Sequence, residues 1–154
     1  MIEYIKGNIL DVKEGILCQH IECQGTMLTN ESRNLQELYS QIKIDCDHLR
    51  NQAADPSDLL GNVCWTHLGD LYIASIFAQD KYQEDVKCTN YLGFYEGLYT
   101  IVKWSLEHDS IPVYISKGIG CDSLTGGDWK QVESFIKAQA TLLCPDSHLI
   151  IVEE

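Results

Sequence analysis

The segment from Tyr114 to Val132, YISKGIGCDSLTGGDWKQV, sets four glycines between an apolar run and the start of a helical pattern. Glycine loses more backbone freedom on folding than any other residue, so a cluster of them marks a chain path that side chains forbid. An ordinary turn needs one or two. Backbone amides converging on an anion at a strand-to-helix turn are the other common reason for bare backbone. In Lys117-Gly118-Ile119-Gly120-Cys121, Gly118 and Gly120 can take positive φ and turn successive N–H groups toward one point. Gly126 and Gly127 then lead into a helix whose first turn adds partial positive charge.

The surrounding pattern sets the architecture. MIEYI and GILCQHIECQG read as two strands joined by a short polar turn at residues 11–14. The run Ile16–Ile21 reads as an inner strand covered on both faces. Asn30–Cys46 carries Leu35, Leu38 and Ile42 at helical spacing behind the caps Thr29 and Asn30. NQAADPSDLLGN reads as a loop, and VCWTHL and LYIASIFAQ as a hairpin turned at Gly69-Asp70. Three more elements follow: a helix opened by Thr89-Asn90, the strand SIPVYIS, and a helix capped by Asp128; HLIIVE is the last strand. Alternating strands and helices predict an α/β fold, with a mostly parallel central sheet between helices. In such sheets ligands sit beyond the carboxyl ends of strands, where the glycine turn falls.

The 154 residues fit one domain spanning 1–154. No secretory pattern is seen at the N-terminus, and no stretch approaches the roughly 18 apolar residues that span a bilayer, so no membrane partner is expected. The seven scattered cysteines include no C-x-x-C pair, which suits reduced thiols in a cytoplasm better than disulfides or zinc. A net charge of −12 without a Lys/Arg cluster argues against binding a nucleic-acid backbone. A small anion remains compatible, because screening removes remote charges beyond about 10 Å at about 0.1 M salt while amides act at contact. No metal-ligand spacing or Ser-His-Asp ordering stands out, and no cofactor is expected. His20 and His67 read as core or edge histidines.

Five pieces occur in one order: KGNI after the first strand, IECQG after the second, YIASIFAQDKY, TNY opening a helix, and GIGC…GGDW. Together they resemble a macro domain of the small bacterial and phage type related to ADP-ribose glycohydrolases. The resemblance covers nearly the whole chain. It implies a three-layer α/β/α fold and a cleft for ADP-ribose or a derivative, lined by Asn8, Ile9, Glu22, Gln24, Gly25, the Lys117–Cys121 turn (Gly118, Ile119 and Gly120 between them), Gly126 and Gly127.

The sequence departs from that pattern at three places. An acidic residue that accepts the adenine amino group is replaced by Asn8, whose carbonyl either takes over the bond or makes a turn. Relatives follow the second strand with a run such as Met-Gly-Ala-Gly; here Leu28, Thr29, Asn30 and Glu31 stand there, and Glu22 replaces an asparagine. Side chains and a carboxylate there should narrow the distal pocket or repel a phosphate. The relatives' Pro-Tyr-Gly-Ile-Gly-Cys-Gly-Leu-Ala-Gly-Gly-Asp-Trp becomes Ser116-Lys117-Gly-Ile-Gly-Cys-Asp-Ser-Leu-Thr-Gly-Gly-Asp-Trp, one residue longer. Lys117 is either a cation beside the phosphates or a solvated side chain. Some branches cleave an ADP-ribosyl bond with a lysine and an aspartate, for which Lys81 with Asp122 or Asp128 are the candidates; Asp128 reads better as a helix cap. Capture of an ADP-ribose-type nucleotide, such as a free signalling derivative, therefore stands ahead of ADP-ribosyl hydrolysis. Protein interaction on an altered macro scaffold comes third.

Overall fold

The computed structural model describes every residue except Met27 and Asp85. A central sheet of six strands, β1 (Ile2–Lys6), β2 (Gly15–Glu22), β3 (Val63–Leu68), β4 (Leu71–Gln79), β5 (Val113–Ser116) and β6 (Leu149–Glu153), runs in the order β1-β6-β5-β2-β4-β3. All neighbours are parallel except the β3–β4 hairpin. Helices α1 (Asn30–Leu38) and α2 (Gln41–Gln52) cover one face; α3 (Tyr91–Glu107) and α4 (Trp129–Ala138) cover the other. This is a mixed, mostly parallel sheet in a three-layer α/β/α arrangement.

Burial explains the layering. Every residue of β2 is buried, because β2 lies inside the sheet with helices on both faces. Its alternate side chains serve different cores: Ile16 and Cys18 pack with Phe94, Leu98 and Ile101 of α3, whereas Leu17 and Ile21 pack with Leu35 of α1 and Ile42 of α2. Three helices carry the expected caps: Thr29 accepts from the Ser32 amide, Asn90 from Gly93 and Asp128 from Lys130. The seven cysteines are all free thiols, five of them buried.

Three local expectations are corrected. The connection between the first two strands is not a plain turn at residues 11–14: Ile9–Asp11 forms a 3-10 turn on the way to β2, and β1 pairs with β6 at the sheet edge. The helix expected over Asn30–Cys46 is two helices broken at Tyr39-Ser40. The break keeps Leu35 over β2 and brings Ile42 and Cys46 onto the β3 side, leaving Leu38 49% exposed. The loop expected over NQAADPSDLLGN begins with the end of α2 and contains a 3-10 turn, Pro56–Leu59.

A glycine explains how α3 lies so close to the sheet. A Cβ on Gly97 would stand 2.4 Å from Ile76 Cγ2, and Ile76 is wholly buried in β4. Gly97→Ala is therefore expected to destabilise the fold by about 1–3 kcal/mol through overpacking, a little less after its gain in helix propensity. Urea unfolding checks this; a variant as stable as the parent would contradict the close packing.

Candidate functional site

Strands β2 and β5 are adjacent and parallel, yet the chain leaves β2 toward α1 on one face and β5 toward α4 on the other. Divergent connections open a crevice at their carboxyl ends, the place where parallel α/β sheets bind ligands. The glycine turn lies at this crevice. Gly118 has φ +87° and Gly120 φ +71°, left-handed values that glycine adopts without strain. Within the turn, the Ile119 amide donates to Ser116 O and the Cys121 amide to Gly118 O. Among the described residues the amides of Gly118 and Gly120 have no acceptor. A Cβ on Gly118 would meet nothing within 4 Å, so the turn is open on that side.

The other two glycines do different work. Gly127 lies against the first half of the turn, where a Cβ would come 2.4 Å from Gly120 O, and its amide donates to that same oxygen at 2.9 Å. Gly126 has φ +75° and packs on the Lys87 backbone. Both shape the loop rather than line the crevice.

A buried hydrogen-bond chain fixes the turn from beneath. Thr89 Oγ1 donates to Gly120 O at 2.6 Å, so its lone pairs face His20 Nε2 at 3.2 Å, and the imidazole is the donor in that contact. His20 is 4% exposed, and burial lowers its pKa from 6.5 to about 4, which keeps it neutral. His20 thus does more than fill the core, and Thr89, which the sequence offered only as a cap candidate, is its partner.

Three small chambers of about 90, 140 and 260 Å³ run from the glycine turn to the end of β1. The first has His20, Gly118, Ile119, Gly120 and Asp122 in its wall. Asn8 and Ile9 line the other two. Glu31, in the first turn of α1, lines all three, and Ser116 Oγ donates a hydrogen bond to its carboxylate across the crevice. Burial pushes the Glu31 carboxyl up; the Ser116 bond opposes this, and Asp122 and Glu154 add to it. A larger depression of about 660 Å³ lies beside Asn8, between Ile5, Lys13 and Tyr114. It lacks the glycine turn and lies off the crevice, so its size does not make it the better candidate.

The remaining expected site residues sit as follows. Asn8 makes a turn: Oδ1 accepts from the Leu10 amide at 2.9 Å, which leaves one lone pair and the side-chain NH2 without a partner among the described residues. Glu22 is 1% exposed and accepts from Thr26 N and Oγ1, turned away from the chambers. Gln24 ties the end of β2 to Ser57 and Asp80, and Gly25 (φ +74°) packs on the Arg50 guanidinium. Arg50, which the sequence did not single out, clamps this turn by donating to Glu22 O and Cys23 O. Lys117 is paired with Glu153 at 2.9 Å. Cys121 Sγ donates to Ile119 O, and burial raises its pKa to about 11, so it is an unreactive thiol. Asp122 Oδ1 accepts from Leu124 N, Thr125 N and Thr125 Oγ1. Lys81 lines a separate cavity with Asp80 and Asn90 and does not share one with Asp122.

A histidine that stays neutral when folded, but protonates near 6.5 when unfolded, adds stability that is complete above about pH 6.5 and is lost as pH falls toward about 4. The loss is about 3 kcal/mol. Urea unfolding should therefore show the parent losing about 2–3 kcal/mol more than His20→Gln between about pH 7.5 and about pH 4.5. Parallel pH profiles would contradict a buried neutral imidazole.

No protein-family model matches the chain, and no curated protein matches its sequence. Solved structures do. A protein of unknown function from Bacteroides thetaiotaomicron superposes with a TM-score of 0.83 at 18% identity, over 100% of this chain and 98% of its own. A macrodomain protein from Streptomyces coelicolor gives 0.75 at 18% identity, over 100% and 99%. Thermosipho africanus DarTG in complex with ADP-ribose gives 0.75 at 11% identity, over 99% of this chain and 42% of its own. The chain has the macrodomain fold.

Proposed function

We propose that the chain binds ADP-ribose or a close derivative in the crevice between β2 and β5, with the diphosphate on the amides of the Gly118–Cys121 turn. The observation that carries this reading is the pair of unpartnered amides at Gly118 and Gly120, held at the carboxyl end of β5 by the Thr89–Gly120 bond. Each amide that meets a phosphoryl oxygen contributes about 1.5–3 kcal/mol, more than a neutral hydrogen bond, because the acceptor is charged. Adenine belongs at the Asn8 end, where a free lone pair and an NH2 group match the edge of the base. The complex of Thermosipho africanus DarTG with ADP-ribose supports this choice of ligand.

Capture is favoured over hydrolysis on geometry. Cleavage by a lysine–aspartate pair requires both groups at one sugar carbon, and Lys81 and Asp122 line different cavities. Asp122 Oδ1 also accepts three hydrogen bonds from its own loop.

Calorimetry with ADP-ribose is expected to give one site per chain, and Gly118→Val to weaken it at least tenfold. Valine disfavours the left-handed conformation and would project into the open side of the turn. Mono-ADP-ribosylated protein incubated with the chain should keep its ADP-ribose. Absence of heat with ADP-ribose and its cyclic or conjugated derivatives would overturn the reading, and release of ADP-ribose would replace capture with hydrolysis.

A further inference from the structure

Among the described charged residues, Glu31 alone lines all three chambers of the crevice. It lies one residue into α1, and its carboxylate reaches the opposite wall of the crevice, where Ser116 Oγ holds it. It borders the chamber under the glycine turn and both chambers toward Asn8, so a molecule joining the two ends must pass it. The charges around it do not compensate. Asp122 faces it from the glycine turn and Glu154 from beyond β6, while Lys117 is bound to Glu153. His20, across the first chamber, is neutral.

We propose that Glu31 is the specificity-determining residue of the crevice: bonded to Ser116, it closes the passage between the glycine turn and the Asn8 end, excludes phosphoryl groups there while ionised, and admits them once neutral. This rests on the reading of the crevice as a nucleotide site. The diphosphate of ADP-ribose, seated in the chamber that Glu31 borders, meets this charge, whereas a neutral sugar or base there offers a hydroxyl or amino donor to it. A carboxylate accepts from a sugar hydroxyl as readily as from Ser116, so the exchange preserves the hydrogen bond. A phosphoryl oxygen at the same place offers no proton and meets like charge across short, poorly hydrated distances. Burial, first, and the neighbouring carboxylates raise the Glu31 pKa against the opposing Ser116 bond, so it neutralises at a higher pH than a free carboxylate. Burial shifts His20 the other way, down to about 4.

The test is calorimetry with ADP-ribose and with adenosine, for the parent, Glu31→Gln and Ser116→Ala, from mildly acidic to mildly alkaline pH. Thermal unfolding of each variant verifies the fold. For the parent, ADP-ribose affinity is expected to rise at least tenfold on acidification. Glu31→Gln should bind it at least tenfold more tightly than the parent at alkaline pH, with a flat profile. Ser116→Ala, which frees the carboxylate but keeps its charge, should retain the pH dependence. Adenosine, lacking phosphate, should gain nothing from Glu31→Gln. Equal ADP-ribose affinity of parent and Glu31→Gln at every pH would overturn the role of Glu31 while leaving the nucleotide site intact. Failure of all three proteins to bind ADP-ribose would overturn both.

Discussion

The parallel pairing of β2 with β5 governs everything near the crevice. Both strands lie inside the sheet, yet their chains leave toward opposite faces, so the carboxyl ends cannot be closed over by one continuous layer. Main-chain groups exposed in that gap need acceptors or donors from somewhere. The chain meets part of this demand itself, through the Thr89–Gly120 and Gly127–Gly120 bonds. Among the described residues, the amides of Gly118 and Gly120 have no acceptor. A ligand with anionic oxygens would complete what the fold leaves incomplete.

Electrostatics give that cleft its character. The chain carries a net charge of −12, and the one lysine on its wall is neutralised by Glu153. Attraction for a phosphate would therefore come from backbone dipoles at contact distance rather than from side-chain cations. Glu31 and Asp122 sharpen this arrangement, because an anion misplaced by a few ångströms meets a carboxylate instead of an amide. In the proposed site, selectivity would come from repulsion as well as from attraction.

Much of this was legible in the chain. The alternation after residue 60, the hairpin, the helix caps at Asn90 and Asp128, and the left-handed Gly118 and Gly120 follow from local rules, and local rules describe them well. What escaped depended on distant partners. The break at Tyr39-Ser40 obeys the path of the sheet beneath, which Leu35, Leu38 and Ile42 spacing alone does not encode. The position of β1 beside β6 is a pairing across the full length of the chain. Gly126 and Gly127 looked like part of an anion cradle, but they serve the packing of one loop half on the other. The burial of Glu22 against Thr26 needed coordinates, and so did the clamp of Arg50 on the end of β2. Glu31 was visible as an obstacle, but its bond to Ser116 joins residues far apart in sequence.

Amide chemical shifts followed by two-dimensional NMR during titration with ADP-ribose test the central claim most directly. The account predicts that the largest changes fall on Gly118, Ile119, Gly120 and Cys121, with a second group at Asn8 and Ile9. Changes confined to the broad depression around Lys13 and Tyr114, with the glycine turn unmoved, would contradict it.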